Sequence, residues 1–160
     1  MKKIIIILAA FGLLSCNSTA PKETEVSSGN ATGIFKEYLD LKNALVKTDA
    51  KLAKASASRL DSSLKALPDS ISVQAEVLTA EIRKSDNIEE QRKAFASLSE
   101  RFITLARQGS LGKNTFFVQH CPMALDQKGA NWLSNQEEIK NPYFGDQMLE
   151  CGEVKEQIGK

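Results

Sequence analysis

Five side chains that could bind a soft metal ion lie close together near the C-terminal end of the 160-residue chain. They are His120, Cys121, Met123, Met148 and Cys151, and His120 is the only histidine in the sequence. Thiolate and thioether sulfurs favour Cu(I) and similar thiophilic ions over hard cations. This set therefore predicts a site for Cu(I) or Ag(I), with the four sulfur residues as ligands and His120 as an optional one.

The spacing of these residues indicates which of them can act together. Met148 and Cys151 are three positions apart, so one helical turn would place them on the same face. Cys121 and Met123 are two positions apart, so an extended chain would point both to the same side. His120 and Cys121 are adjacent and would face opposite sides of a strand, which argues against a catalytic Cys–His pair.

A second interpretation of the two cysteines stays open, and their chemistry alone favours it over the metal site. Exported proteins commonly join such cysteines in a disulfide. A Cys121–Cys151 bond would close a loop of about 31 residues and stabilise the fold by roughly 3–4 kcal/mol in the chain-entropy treatment. Met123 and Met148 would then be ordinary core residues.

The N-terminus is typical of an exported lipoprotein. Two lysines precede an apolar run over residues 4–14, which is too short to span a bilayer but suits a signal peptide. The run ends in Leu13-Leu14-Ser15-Cys16, which resembles a bacterial lipobox and implies cleavage after residue 15 and lipidation of Cys16. Acyl chains contribute about 0.8 kcal/mol per buried CH₂, so lipidated Cys16 would hold the protein at a membrane.

The residues after Cys16 predict a tether and a location. Asn17 stands where an inner-membrane retention signal would have Asp, which favours the periplasmic side of the outer membrane. Residues 16–32 are polar and aperiodic, and we expect a lipidated, flexible tether that reaches roughly 20–25 Å.

Helical periodicity dominates the middle of the chain. Four apolar stripes with helical spacing lie between Gly33 and Gly109. Asp49 suits a helix N-cap, Pro68 ends a helix, and Gly109 suits the position after a helix C-cap. These signals predict a mainly α protein, an antiparallel helical bundle of about four helices.

The composition changes after this helical region. The β-branched and aromatic run Thr115–His120 predicts a strand, and polar, ring-rich turns follow it. We therefore expect one helical domain over residues 33–155, in which residues 111–155 form a small strand/loop subdomain that carries the cysteines and methionines.

Charge and motif content exclude several functions. Lys and Arg number 21 and Asp and Glu 20, and this balance argues against nucleic-acid binding. The chain has no nucleophile elbow, phosphate loop or spaced carboxylate motif, so we do not expect an enzyme.

The C-terminal motifs resemble a known bacterial domain of unknown function. The resemblance covers roughly residues 33–155 and depends on four runs of residues: Cys-Pro-Met-Ala from Cys121, Lys-Gly-Ala-Asn-Trp-Leu-Ser from Lys128, Glu-Ile-Lys-Asn-Pro-Tyr-Phe-Gly from Glu138 and Met-Leu-Glu-Cys-Gly-Glu-Val from Met148. That domain occurs in exported lipoproteins and near the C-terminal end of CusB-type adaptor proteins of copper/silver efflux systems. The resemblance implies heavy-metal handling in the periplasm.

Together these features predict a lipid-anchored periplasmic protein that binds Cu(I) or Ag(I). It would buffer the metal or hand it to a heavy-metal efflux adaptor or pump. The alternative is a non-catalytic structural or interaction module with a Cys121–Cys151 disulfide.

Overall fold

The structure, a computed structural model, describes residues 28–67 and 69–159. The predicted signal peptide, Cys16 and the first part of the tether lie outside these residues. The chain is mainly helical and ends in a small antiparallel sheet. Its elements are α1 (Ser28–Val46), α2 (Ala50–Leu64), α3 (Asp69–Lys84), α4 (Ile88–Arg107), β1 (Phe116–Cys121), β2 (Ala130–Ser134) and β3 (Glu153–Ile158).

Local sequence signals account for the helix ends. The side chain of Asp49 caps α2 by accepting a hydrogen bond from the Leu52 amide at 2.9 Å. Gly109 follows α4 with a φ of +73°, and Ser110 N donates to Leu105 O, as in a Schellman motif. One boundary differs from expectation: α1 begins at Ser28, so the last five residues of the predicted tether are helical.

The helices pack in chain order, each against the next. Aromatic side chains add a link between the first and the last of them. Tyr38 of α1 is fully buried and stacks on Phe102 of α4 with ring centroids 4.4 Å apart, and on Phe95 at 5.4 Å. The mainly helical class is thus confirmed, while the antiparallel bundle arrangement stays a prediction. Among the residues described here, no helix is long and apolar enough to cross a membrane.

The sheet has the strand order β2-β1-β3, with β1 antiparallel to both neighbours. The predicted strand at 115–120 is therefore the central strand, shifted by one residue. Its register pairs Cys121 with Ala130 of β2 and His120 with Glu153 of β3. No strand was expected at β2, which is only five residues long, or at β3, in which three of six residues are charged.

Both faces of the sheet are covered. Because paired residues point to the same side, the register defines a helix face and a loop face. On the helix face, Phe116 packs edge-on against Phe35 of α1 with centroids 4.8 Å apart. On the loop face, buried Gln119 donates from Nε2 to three consecutive carbonyls of the 135–152 loop, those of Gln136, Glu137 and Glu138. Cys121 and Trp132 share this loop face.

Two tyrosine hydroxyls form hydrogen bonds with backbone groups on the outer edge of β2. Leu133 N donates to the Tyr38 hydroxyl at 3.0 Å, and the Tyr143 hydroxyl donates to Asn131 O at 2.5 Å. Edge strands otherwise leave such backbone groups without partners. These bonds fix the sheet against α1 and hold the loop that contains Tyr143 over β2.

Candidate functional site

Two thiols meet on the loop face of the sheet. The Sγ atoms of Cys121 and Cys151 lie 3.3 Å apart, within hydrogen-bonding distance, although 30 residues separate them in sequence. Both are free cysteines; Cys121 is fully buried, whereas Cys151 is half-buried. The structure therefore places two of the five predicted metal ligands side by side.

The side chain of Asn141 holds the backbone of Cys151 in place. Asn141 is fully buried, and its Nδ2 donates to Cys151 O at 2.8 Å. Its Oδ1 accepts from Tyr143 N at 2.8 Å, and its backbone N donates to Leu149 O at the same distance. One residue thus ties together the two ends of the loop that carries Cys151.

Gly152 lets the chain pass close to the sheet directly after Cys151. Its φ is +148°, a conformation that side chains disfavour. A Cβ at this position would lie 2.8 Å from His120 O and 3.0 Å from Cη2 of Trp132. Glycine is therefore required for the close approach that brings Cys151 over Cys121.

Two buried aromatic side chains lie on the same side of the sheet as the thiol pair. Trp132 is fully buried and meets Tyr143 edge-on with centroids 5.9 Å apart. Burial raises the pKa of Tyr143 well above its ordinary value, so its hydroxyl stays neutral. The hydrogen bond with Cys121, followed by burial, raises the pKa of the Cys151 thiol. The Cys151 thiol is therefore protonated at neutral pH in the absence of a bound cation.

His120 lies on the opposite face, as expected for the neighbour of Cys121 in a strand. Its Nδ1 is 2.8 Å from Oδ1 of Asn131, whose Nδ2 donates to Glu100 Oε1 at 2.8 Å. A carboxylate only accepts, which fixes the amide orientation and makes His120 Nδ1 the donor. The structure does not bring His120 to the thiol pair.

The two methionines are placed differently from the cysteines. The chain turns after Cys121, and Met123 has φ −89° and ψ −10°, so the extended arrangement expected for Cys121 and Met123 is wrong. Met123 is 47% exposed and lines a cleft of about 310 Å³ beside α4.

Met148 is half-buried after the 3-10 helix Gly145–Gln147, and its carbonyl accepts from Cys151 N at 3.1 Å. A tight turn, rather than the expected helical turn, links Met148 to Cys151.

A left-handed backbone turn follows Met123 and forms one wall of this cleft. Leu125, Asp126 and Gln127 have consecutive φ values of +53°, +58° and +66°. A side chain in this conformation costs roughly 1–2 kcal/mol per residue, because Cβ approaches the carbonyl oxygen. Leu and Gln give no sequence signal for such a turn.

Arg92 is a second feature that sequence reasoning missed. Its buried guanidinium donates to Pro142 O at 2.9 Å, to Leu45 O at 3.3 Å and to Thr48 Oγ1 at 3.1 Å. It thereby connects α4 with the end of α1 and with the 135–152 loop. A signal was present, because Arg92 occupies a position of the buried stripe of α4 that an apolar residue would normally fill.

Metal ligands other than sulfur do not converge on a site in the part of the chain that the structure describes. There, no three or more His, Cys, Asp and Glu side chains form a group that could hold a metal ion.

Comparison with known proteins gives one family. The family described as "Protein of unknown function (DUF3347)" matches residues 34–114, which span α1 to α4 and the link to β1. No curated protein and no solved structure matches the chain. The match covers half of the chain, and the chain therefore belongs to this family. The C-terminal motifs from Cys121 to Val154 lie beyond the matched residues.

Proposed function

We propose that this member of the DUF3347 family binds Cu(I) or Ag(I) through the thiolates of Cys121 and Cys151. The observation that supports it most strongly is the 3.3 Å contact between two free thiols that come from distant parts of the chain. The two sulfur donors already lie side by side, one at the end of β1 and the other in the adjoining loop, and this favours a soft cation because only a small movement of Cys151 remains on binding.

The donor set favours a monovalent soft cation over zinc. Structural Zn²⁺ sites need four ligands, usually thiolates and imidazoles. Here two thiols meet without a histidine or carboxylate among the described residues that could complete such a site. Cu(I) and Ag(I) accept low coordination by sulfur, so the pair with one added thioether is a sufficient site for them.

Met148 is the stronger candidate for the third sulfur donor. The turn in which Cys151 N donates to Met148 O keeps these two residues adjacent. Met123 lies two residues beyond Cys121 and its side chain lines the cleft beside α4. We therefore expect Met148→Leu to weaken Cu(I) binding more than Met123→Leu does.

An anaerobic titration of the reduced protein with Cu(I), against a competing chelator, tests the proposal. We expect one ion per chain and a loss of at least about tenfold in affinity for Cys121→Ser and for Cys151→Ser, since each removes a thiolate. His120→Ala is the matched control, because His120 faces the other side of the sheet, and it should bind as the wild type does. Unchanged binding in both serine variants would refute the proposal.

The cellular role extends the same proposal. We propose that lipidated Cys16 anchors the protein at the periplasmic side of the outer membrane, where it buffers the metal or hands it to a heavy-metal efflux adaptor or pump. The lipobox and the resemblance of the C-terminal motifs to a domain found near such adaptors support this role. Cys16→Ser should release the protein from the membrane fraction, and retention of that variant in the membrane would contradict the anchor.

The same thiol contact also favours a second candidate function. Sulfurs at 3.3 Å need to move by little more than an ångström to form a disulfide of about 2.05 Å. The protein would then be a structural or interaction module without a metal. A thiol count on protein purified without reductant distinguishes the two, since zero free thiols and no effect of Cu(I) on melting would favour the module.

A further inference from the structure

The two thiols of the pair differ in accessibility and in how their backbones are held. Cys121 is fully buried and ends the central strand, where it pairs with Ala130. Cys151 is half-buried and lies between the 3-10 helix and β3, outside any helix or strand. Only Cys151 can therefore be reached from solvent without displacing the loop that covers this face of the sheet.

A bound cation requires the two sulfurs to separate. With metal–sulfur bonds of about 2.3 Å, sulfurs in trigonal or linear coordination lie roughly 4.0–4.6 Å apart. The thiols are 3.3 Å apart, so one side has to move. The strand pairing holds Cys121, whereas the backbone of Cys151 lies outside the sheet and is held by a local turn bond to Met148 O and by the Asn141 side chain. Cys151 is therefore the side that moves.

We infer that Cys151 is the exchange ligand, through which the metal arrives and leaves, and that Cys121 is the retaining ligand. The inference rests on the proposed function. The partner in exchange is a carrier that presents its own thiolate or thioether sulfur, because a soft ion at the surface needs a second soft donor until Cys121 binds it.

The transfer balances without a change in oxidation state. The Cys151 thiol releases its proton to solvent as its sulfur bonds to the ion. The Cys121 thiol then loses its proton and bonds to the same ion, and the bond between the ion and the carrier sulfur breaks. Cys151 binds the ion first because it is the more exposed thiol. Acidity does not favour it, since the hydrogen bond with Cys121 raises the pKa of the Cys151 thiol.

Rapid-mixing kinetics on the reduced full-length protein test this order. The donor is a Cu(I)–glutathione complex, and release is followed with an excess of a Cu(I) chelator. Cys151→Ser should slow uptake by at least about tenfold, whereas Cys121→Ser should leave uptake within about threefold and speed release by at least about tenfold. The reverse pattern, or equal effects of the two changes on both rates, would overturn the inference.

A measurement on the wild-type protein tests the same assignment without depending on whether the variants fold. Alkylation of the metal-free native protein, followed by mass spectrometry of its peptides, should modify Cys151 at least about ten times faster than Cys121. Equal rates, or faster modification of Cys121, would contradict the assignment. Failure of the proposed function looks different, because the wild type would then bind no Cu(I) at equilibrium.

Discussion

The sulfur atoms of Cys121 and Cys151 lie 3.3 Å apart because three separate features converge on them. β1 ends at Cys121, the Asn141 side chain holds the carbonyl of Cys151, and Gly152 lets the chain pass beside Trp132. The distance between the two sulfur atoms therefore depends on how firmly the 135–152 loop is held. Changes that loosen this loop should alter both stability and the chemistry of the thiols.

Asn141 is the first place to test this dependence. Asn141→Ala removes the donor to Cys151 O and the acceptor for Tyr143 N, which leaves buried backbone groups unpaired. We expect the free energy of unfolding to fall by about 1–3 kcal/mol, measured by urea denaturation of the reduced protein. Asn135→Ala, at an exposed position of the same loop, is the control and should have little effect. Equal stability of the two variants would show that Asn141 does not fasten the loop.

We expect the loss of Arg92 to lower the free energy of unfolding more than the loss of Arg59, because Arg92 attaches the 135–152 loop to the helices. Arg92→Met keeps much of the side-chain volume but leaves Pro142 O and Leu45 O without their donor. The expected loss is about 2–4 kcal/mol in the free energy of unfolding, together with weaker Cu(I) binding. Arg59→Met removes a more exposed ion pair with Glu37 and should cost less than about 1 kcal/mol. If both variants unfold at the same urea concentration, the connecting role of Arg92 is wrong.

The left-handed turn predicts that two glycine substitutions have opposite effects. Gln127 has a φ of +66°, so Gln127→Gly relieves strain and should raise stability by about 0.5–1.5 kcal/mol. Gln157 lies in β3, where glycine should lower stability instead. Thermal melts of the two single variants provide the comparison. A lower melting temperature for Gln127→Gly would argue against the left-handed conformation in solution.

A buried lysine makes stability depend on alkaline pH. Burial, followed by repulsion from Lys140, lowers the pKa of Lys42 from 10.5 to about 8, although Glu138 acts in the other direction. Between these two pKa values the unfolded chain binds more protons, so the free energy of unfolding should rise with pH over this interval. Below about pH 8 the full penalty for burying the charged amine applies.

Lys42→Met should remove this rise and stabilise the protein at pH 7 by roughly 1–3 kcal/mol. Lys47→Met, at an exposed position just beyond the end of α1, is the matched control and should keep the pH dependence. Urea denaturation at several pH values between 7 and 10.5 makes the measurement. A Lys42→Met variant with the same pH dependence of stability as the wild type would contradict the burial of Lys42.

Sequence signals predicted the parts of the fold that local physics decides. Asp49 caps α2 and Gly109 ends α4, because capping and left-handed termini depend on one or two neighbouring residues. The strand at β1 follows from β-branched and aromatic residues. In contrast, half of the residues of β3 are charged, and its strand conformation depends on its pairing with β1.

The candidate site was predictable in composition but not in arrangement. The concentration of sulfur between Cys121 and Cys151 is visible in the sequence, whereas the contact between these two thiols depends on the long-range bonds of Asn141 and on the conformation of Gly152. Spacing alone gave the wrong prediction that Met123 and Cys121 point to the same side, since the chain turns directly after Cys121 instead of remaining extended. Adjacent positions in a strand did place His120 and Cys121 on opposite faces.

X-ray absorption at the copper edge of the reduced, Cu(I)-loaded protein tests the metal site most directly. The proposed site predicts a first shell of two or three sulfur atoms at about 2.2–2.3 Å, and loss of that shell in the Cys121→Ser/Cys151→Ser double variant. A wild-type spectrum dominated by nitrogen or oxygen donors, or one that the double variant leaves unchanged, would contradict Cu(I) binding by this pair of thiols.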